Sequence, residues 1–170
     1  MVDAPRWTKH VTDAIAARGG LAMVLLTHRD DVADAERYAS HFGARVFIHE
    51  DDRGAAPYAS DIIEGRAPIA LDHDLRVISL PGHTKGSVAY LFAERCLFSG
   101  DSLSWSFETE DLRASKNVCW YSWPEQTASL RRLAEERFEW VFAGHGGSVH
   151  LPPAEMRARL LALVARMERE

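Results

Sequence analysis

The chain has 170 residues, of which 46% are hydrophobic, and a formal net charge of -5. This length can bury a substantial core, so we expect one domain over residues 1–170, and the acidic balance argues against nucleic acid as a partner. Two cysteines are too few for a disulfide scaffold and favour a reducing compartment.

The first half of the chain alternates helical and strand patterns. Residues 6–18 predict a helix that ends at a glycine pair, and the apolar run Leu21–Leu26 predicts a buried strand. Apolar residues recur at helical spacing from Val32 to Phe42, before another glycine. Arg45–His49 predicts a strand, whereas residues 53–68, with Gly, Pro and Ser, predict mostly loop.

The middle of the chain favours strands, and the end favours helices. Strands are predicted at Leu75–Leu80, Ser87–Phe92 and Arg95–Phe98, followed by an irregular, tryptophan-rich segment over 102–124. A helix over Pro124–Phe138 should bury Leu130, Leu133 and Phe138.

The last two predicted elements are a strand and a helix. Trp140–Ala143 predicts a strand, and a final helix begins at Pro152-Pro153. The apolar stripe of that helix comprises Met156, Leu160, Leu163, Val164 and Met167. The alternation along the chain predicts an α/β protein whose helices cover the faces of sheets. Its apolar runs are too short to cross a membrane, so we expect a cytoplasmic protein.

Four of the apolar runs end in a residue type that binds metals. MVLLT precedes His28, VISLPG precedes His83, CLFSG precedes Asp101, and WVFAG precedes His145. Loops at strand ends are where a rigid scaffold holds functional groups. Imidazole and carboxylate suit zinc, and also iron or manganese. Each residue taken alone is more often structural, but the joint pattern predicts a metal site.

These segments carry a family resemblance. The stretches THRD at 27–30, LPGHTKGS at 80–87, SGD at 99–101 and AGHG at 143–146 resemble the ordered motifs of the metallo-β-lactamase superfamily, which includes glyoxalase II-like hydrolases. The resemblance implies an αββα sandwich with a metal site at one edge between two sheets. It also implies hydrolysis by metal-activated water.

The first motif departs from the family pattern His-x-His-x-Asp-His. The second histidine is replaced by Asp30, which can still bind a metal, and the following Asp-His pair by Val32 and Ala33, which cannot. By resemblance, one metal position keeps His28, Asp30, His83 and the bridging, catalytic Asp101, whereas the other keeps only Asp101 and His145. We therefore expect one ion, zinc before iron or manganese, rather than two.

Two further acidic residues are alternative ligands for the second metal position. Asp31 or Asp34 would supply the missing ligands if the loop runs differently, and their spacing predicts one face of the following helix. The start of a helix also favours acids without any metal.

The segments before His28 and after His145 are shorter than the corresponding segments of the family that the sequence resembles. Only 27 residues precede His28, whereas family members carry several strands there, so we expect N-terminal strands to be missing, supplied by a partner copy or encoded upstream. Asp3 would then be the remnant of the end of one of these N-terminal strands. An uncovered sheet edge predicts self-association. The 25 residues after His145 suffice for one helix, so we do not expect the glutathione-binding helical domain of glyoxalase II.

The remaining aromatic and histidine residues allow two interpretations. Trp105, Trp120, Tyr121 and Trp123 lie between Asp101 and His145, and we favour anchors of a long loop over a substrate pocket. We expect His49 to lie in a surface turn. Structural or exposed positions are expected for His10, His41, His73 and His150.

The sequence therefore supports two functions from different classes. The first is a metal-dependent hydrolase that cleaves an ester, thioester or similar bond in a small molecule. The second is a non-catalytic binding protein that keeps the fold, which Val32 and Ala33 favour. His83, Asp101 and His145 favour the hydrolase, because a purely structural fold would not need all three.

Overall fold

The computed structural model describes residues 1–170 and contains two main sheets and a two-stranded hairpin. The helices are α1 (Lys9–Ala16), α2 (Ala35–Phe42), α3 (Trp123–Leu133) and α4 (Pro153–Met167). The strands are β1 (Met23–Leu25), β2 (Arg45–His49), β3 (Asp61–Ile63), β4 (Ile69–Ala70), β5 (Leu75–Ser79), β6 (Val88–Phe92), β7 (Cys96–Gly100), β8 (Ser104–Ser106), β9 (Asp111–Arg113), β10 (Trp140–Ala143) and β11 (Val149–His150).

The two sheets differ in size and strand direction. The first has three parallel strands in the order β1-β2-β3, and Val2 adds a single parallel bridge to Leu25. The second has six strands in the order β11-β10-β7-β6-β5-β4, with β7 and β10 parallel and the other pairs antiparallel. Strands β8 and β9 form a separate hairpin.

Alternation along the strands divides the interior into three layers. In β2, Val46 and Ile48 pack towards α2, whereas Phe47 between them packs with Val77 and Tyr90 of the second sheet. The opposite face of the second sheet packs against α3 and α4 through a cluster of 17 buried residues. Helix, sheet, sheet and helix therefore follow one another, which confirms the predicted αββα sandwich.

Most predicted elements are present, with some corrections. The strands Arg45–His49 and Trp140–Ala143 lie where the sequence predicts them, and all five stripe residues of α4 are buried. The segment predicted as loop over 53–68 contains β3, and the irregular segment over 102–124 contains the β8–β9 hairpin. These strands have only three residues each, which is too short to show a periodic pattern.

The first helical turn after His28 also differs from expectation. Arg29–Asp31 form a 3-10 turn, Ala33 has a positive φ of 31°, and α2 begins only at Ala35. The helix ends, as expected, at Gly43 in the left-handed conformation. No helix in the structure is both long and apolar enough to span a bilayer.

Candidate metal centre

Four strands deliver the predicted ligands to one edge of the sandwich. His28 follows β1, His83 lies in the turn between β5 and β6, Asp101 follows β7, and His145 follows β10. Strands β5, β7 and β10 run in the same direction, so their carboxyl ends meet at one edge.

The three histidine side chains converge on the Asp101 carboxylate. Its Oδ2 lies 3.7 Å from His28 Nε2 and 3.8 Å from His83 Nε2, and its Oδ1 lies 2.9 Å from His145 Nδ1. Ligands of one tetrahedral ion at bond lengths of about 2.1 Å are roughly 3.4 Å apart. The separations of His28 and His83 from Asp101 therefore suit ligands of a shared ion, whereas His145 is hydrogen-bonded to Asp101.

Asp30 completes a first donor set with the two buried histidines. Its Oδ2 lies 3.4 Å from His83 Nε2, and the ligand atoms of His28, Asp30 and His83 all lie within 4.8 Å of one another. Nε2 of His28 and both ring nitrogens of His83 are buried without a hydrogen-bond partner in the protein. An unpaired buried polar atom costs about 1–3 kcal/mol, and a bound ion is one of the few explanations for it. The residues present thus fit a divalent metal.

The two acidic residues that follow Asp30, Asp31 and Asp34, lie in different places. Asp31 Oδ2 lies 3.9 Å from His28 Nε2 and 3.7 Å from His145 Nδ1, whereas Asp34 Oδ2 accepts a hydrogen bond of 2.6 Å from the backbone N–H of Trp7. The prediction that both share one helix face is wrong, because Asp31 ends the 3-10 turn and Asp34 precedes α2. Asp31 reaches the centre, and Asp34 fastens the N-terminal segment.

Asp3 supports His28 through Thr27. The Asp3 carboxylate accepts hydrogen bonds from the Thr27 backbone N–H at 2.7 Å and from its hydroxyl at 2.8 Å, and Thr27 Oγ1 lies 2.9 Å from His28 Nδ1. Since the hydroxyl proton points to Asp3, Oγ1 accepts the Nδ1–H of His28. His28 Nε2 is then left unprotonated and directed at the centre, as a metal ligand requires.

Burial and neighbouring charges set the ionisation of the centre. Burial raises the pKa of Asp3 to about 7, against the opposing effect of its two bonds to Thr27. Burial, and then the neighbouring His83, lower the pKa of His28 and favour its neutral form. The hydrogen bond to Asp101 raises the pKa of the more exposed His145.

Asp52 holds the His83 turn, and the sequence gives no signal for it. The buried carboxylate accepts hydrogen bonds from the Thr84 hydroxyl, from the Gly86 backbone N–H at 3.3 Å and from the Arg29 backbone N–H at 3.1 Å. It thereby ties the turn after β5 to the 3-10 turn after β1. Asp52 precedes its partners Thr84 and Gly86 by 32 and 34 positions, so spacing alone cannot connect them.

The segment before α3 packs directly on the same turn. The backbone N–H groups of Trp120 and Tyr121 donate to the His83 carbonyl at 2.9 and 3.1 Å. A Cβ on Gly82 would overlap the Cβ and backbone of Gln126, so only glycine permits this approach. The position of His83 therefore depends on the start of α3.

The aromatic residues of the tryptophan-rich segment differ in their surroundings, so some are loop anchors and others line a pocket. Trp105 and Trp123 pack against the main core, as anchors should. Trp120 and Tyr121 are 66% and 45% exposed, so the anchor interpretation is wrong for them. Together with Asp30 they line a cavity of about 470 Å³, whose cationic side chains are Arg29 and Lys85.

The other histidines and the cysteines lie outside the centre. His49 is buried rather than in a surface turn, and its Nε2 lies 2.9 Å from the Gly65 carbonyl oxygen. Exposed positions are found for His10, His41, His73 and His150, as expected. Both cysteines are free and half-buried, so Cys96 is more accessible than its apolar surroundings predict.

Comparison with known proteins places this geometry in a known fold. The metallo-β-lactamase FIM-1 from Pseudomonas aeruginosa, in its mono-zinc form, superposes with a TM-score of 0.72 at 16% identity, covering 97% of this chain and 77% of that one. TTHA1623 in a di-iron-bound form gives a TM-score of 0.67 at 23% identity, covering 94% and 86%. The chain has the metallo-β-lactamase fold.

Within the metallo-β-lactamase fold, the sequence is glyoxalase II-like. It is 38% identical to the hydroxyacylglutathione hydrolase of Acidiphilium cryptum over 95 residues, which cover 54% of this chain. That match spans 39% of the Acidiphilium enzyme, so the chain matches about two fifths of this relative's length. No family model matches the chain.

Proposed function

We propose that the protein is a metal-dependent hydrolase that cleaves a thioester or a related ester of a small molecule. The observation that carries this proposal is the pair of buried histidines, His28 and His83, whose unpaired nitrogens face the carboxylates of Asp30 and Asp101. Sequence similarity to hydroxyacylglutathione hydrolases supports the thioester. Zinc suits this mixture of imidazole and carboxylate, as do iron and manganese.

The side chains of the centre have distinct roles in the proposed hydrolysis. His28, Asp30, His83 and Asp101 would hold the metal, which when bound supplies Lewis acidity and makes water a nucleophile near neutral pH. Asp101 faces both histidines and His145, so its loss disturbs the whole centre. Water adds to the thioester carbonyl, the carbon–sulfur bond breaks, and the products are a carboxylic acid and a thiol.

The adjacent cavity suits an anionic, partly apolar substrate. Arg29 and Lys85 supply positive charge, and the exposed rings of Trp120 and Tyr121 supply apolar surface beside Asp30. Lys85 is also paired with Asp51 at 2.6 Å, so Arg29 is the cation that is freer to meet a carboxylate. A substrate here would lie next to the first donor set.

A non-catalytic binding protein is the second candidate, favoured by Val32 and Ala33. The test is hydrolysis of a hydroxyacylglutathione, an acyl-coenzyme A and a p-nitrophenyl ester by metal-loaded protein, with His83→Ala as the comparison. Turnover that depends on both the metal and His83 supports the hydrolase. Tight metal binding without turnover of any of the three substrates favours the binding protein.

A further inference from the structure

The hairpin of β8 and β9 packs on the loop that carries His145. The Trp105 backbone N–H donates to the Gly147 carbonyl at 2.8 Å, and the Gly147 N–H donates to the Trp105 carbonyl at 3.1 Å. A Cβ on Gly146, which has a positive φ of 93°, would lie 3.0 Å from the Ser104 Cβ. The hairpin and the His145 loop are therefore in close contact, and the hairpin forms a wall beside the metal centre.

A second cavity lies between this hairpin and the centre. Its volume is about 200 Å³, and it shares no lining residue with the cavity of about 470 Å³ at Trp120 and Tyr121. Its lining consists of residues of the centre, the hairpin and the segment that follows, namely Asp101, His145, Gly146, Ser104, Trp105, Arg113, Ala114, Ser115 and Val118. The larger cavity adjoins the centre at Asp30 instead. A substrate whose reacting carbonyl lies at the centre can therefore place one part in each cavity.

Arg113 is the only lysine or arginine that lines the smaller cavity, and its charge has no partner in the protein. The acidic residue two positions before it, Asp111, is paired with Arg159 at 3.3 Å and with Arg166 at 3.1 Å. Arg113 itself is exposed and forms no ion pair. A guanidinium binds a carboxylate through two parallel N–H···O bonds, which makes arginine the usual residue for this recognition. The cavity therefore presents a carboxylate-binding group beside the centre.

The volumes of the two cavities indicate which part of a thioester each would hold. A thiol such as glutathione or coenzyme A is larger than a short acyl group, so the thiol part suits the larger cavity at Trp120 and Tyr121. A volume of about 200 Å³ is the space of about seven water molecules at about 30 Å³ each, and therefore of about seven non-hydrogen atoms. A succinyl group, which ends in a carboxylate, has about that number of atoms.

We propose that the smaller cavity binds the acyl part of the substrate and that Arg113 binds a carboxylate at the end of this part. The substrate class is then a thioester of a short dicarboxylic acid. This inference rests on the proposed function, because it assumes that the centre hydrolyses a thioester. Water adds to the thioester carbonyl, the carbon–sulfur bond breaks, and the products are the dicarboxylic acid and the thiol, so no further reactant is needed.

The experiment compares acyl groups on one thiol. Acetyl-, butyryl- and succinyl-coenzyme A are offered to the metal-loaded parent, to Arg113→Gln and to Arg137→Gln, and thiol release gives kcat/KM. Arg137→Gln is the control, because Arg137 is exposed and lines neither cavity. Butyryl and succinyl groups have carbon chains of equal length, so their comparison isolates the terminal carboxylate.

The parent should prefer the succinyl thioester to the butyryl thioester. We expect a ratio of about 10–100-fold in kcat/KM, the range of a hydrogen bond to a charged group. Arg113→Gln should lower kcat/KM for succinyl to that for butyryl, because only succinyl carries the carboxylate, whereas Arg137→Gln should keep the preference. No preference in the parent, or an undiminished preference in Arg113→Gln, would overturn the proposal.

Titration with the free acids tests the cavity without turnover. Succinate should bind the metal-loaded parent more tightly than butyrate, and Arg113→Gln should lose this difference. Equal affinities of the parent for the two acids would contradict the role of Arg113. Hydrolysis of all three thioesters without a preference contradicts only the acyl assignment, whereas hydrolysis of none contradicts the proposed function, and the titration then decides whether Arg113 binds a carboxylate.

Discussion

Replacing Asp3 by asparagine should weaken metal binding at His28, although Asp3 is 25 positions away in the sequence. Asparagine can still accept the Thr27 backbone N–H with its oxygen, but its NH₂ group then faces Thr27 Oγ1 as a donor. The hydroxyl proton turns towards His28 Nδ1 and moves the imidazole proton to Nε2, where it blocks the metal. Loss of such a supporting partner costs about 10–100-fold in affinity, or about 1.4–2.7 kcal/mol.

Chelator competition with Zn²⁺ measures this affinity, and ¹⁵N NMR of the metal-free protein reports which nitrogen of His28 carries the proton. Thr27→Ser keeps the hydroxyl and should bind metal within a few-fold of the parent. Thr27→Val removes the hydroxyl and should resemble Asp3→Asn. An Asp3→Asn variant with parental affinity and an unprotonated His28 Nε2 would show that the hydrogen bonds from His28 through Thr27 to Asp3 do not set the tautomer of His28.

The same carboxyl group makes the stability of the metal-free protein depend on pH. Burial raises the pKa of Asp3 from 3.8 to about 7 in the folded protein. Its contribution to stability is therefore complete below pH 4 and is lost as the pH rises through about 7. A shift of about three units corresponds to at most about 4 kcal/mol. Urea unfolding with a chelator should show the parent losing stability relative to Asp3→Asn between pH 4 and 8; a constant difference would contradict this.

Other variants extend these expectations. Gly82→Ala should cost about 3 kcal/mol, the upper range of overpacking, in urea unfolding, because the methyl group overlaps α3; an unchanged midpoint contradicts this packing. Asp101→Ala should reduce metal content and thioester turnover most, His83→Ala next and His145→Ala least; equal activities in all three would mean that turnover arises elsewhere. Metal should be lost on acidification, because protons compete with the metal for the imidazole nitrogens, and burial, which lowers the pKa of His28, delays this competition at His28; equilibrium dialysis across pH 5–8 follows the loss, and a metal content independent of pH would contradict it. Self-association, expected from the short first sheet, stays a prediction that light scattering over a concentration series checks, and a concentration-independent monomer would contradict it.

The sequence predicts the parts of the fold that depend on regular patterns. The strand at Arg45–His49 and the stripe of α4 follow from apolar spacing, because burial of one face imposes that spacing directly. The positions of His28, His83 and Asp101 follow from the motif resemblance and from their place after strands. The sequence does not predict β3, because a strand of three residues is too short to show a periodic pattern.

The details of the centre depend on local geometry that spacing does not encode. Asp31 and Asp34 look alike in sequence, but a 3-10 turn directs Asp31 to the centre while Trp7 engages Asp34. Asp52 supports the His83 turn from a distant segment, and no motif marks it. Such contacts are set by tertiary packing rather than by the residues next to them.

The most direct test of the central claim is the Zn²⁺ content of purified parent protein beside His28→Ala, measured by elemental analysis after exhaustive dialysis. We expect at least one tightly held ion per parent chain and the loss of this ion in His28→Ala, because this imidazole supplies a buried nitrogen that faces Asp101. Parent protein that retains no metal after loading, or His28→Ala protein that retains as much as the parent, would contradict it.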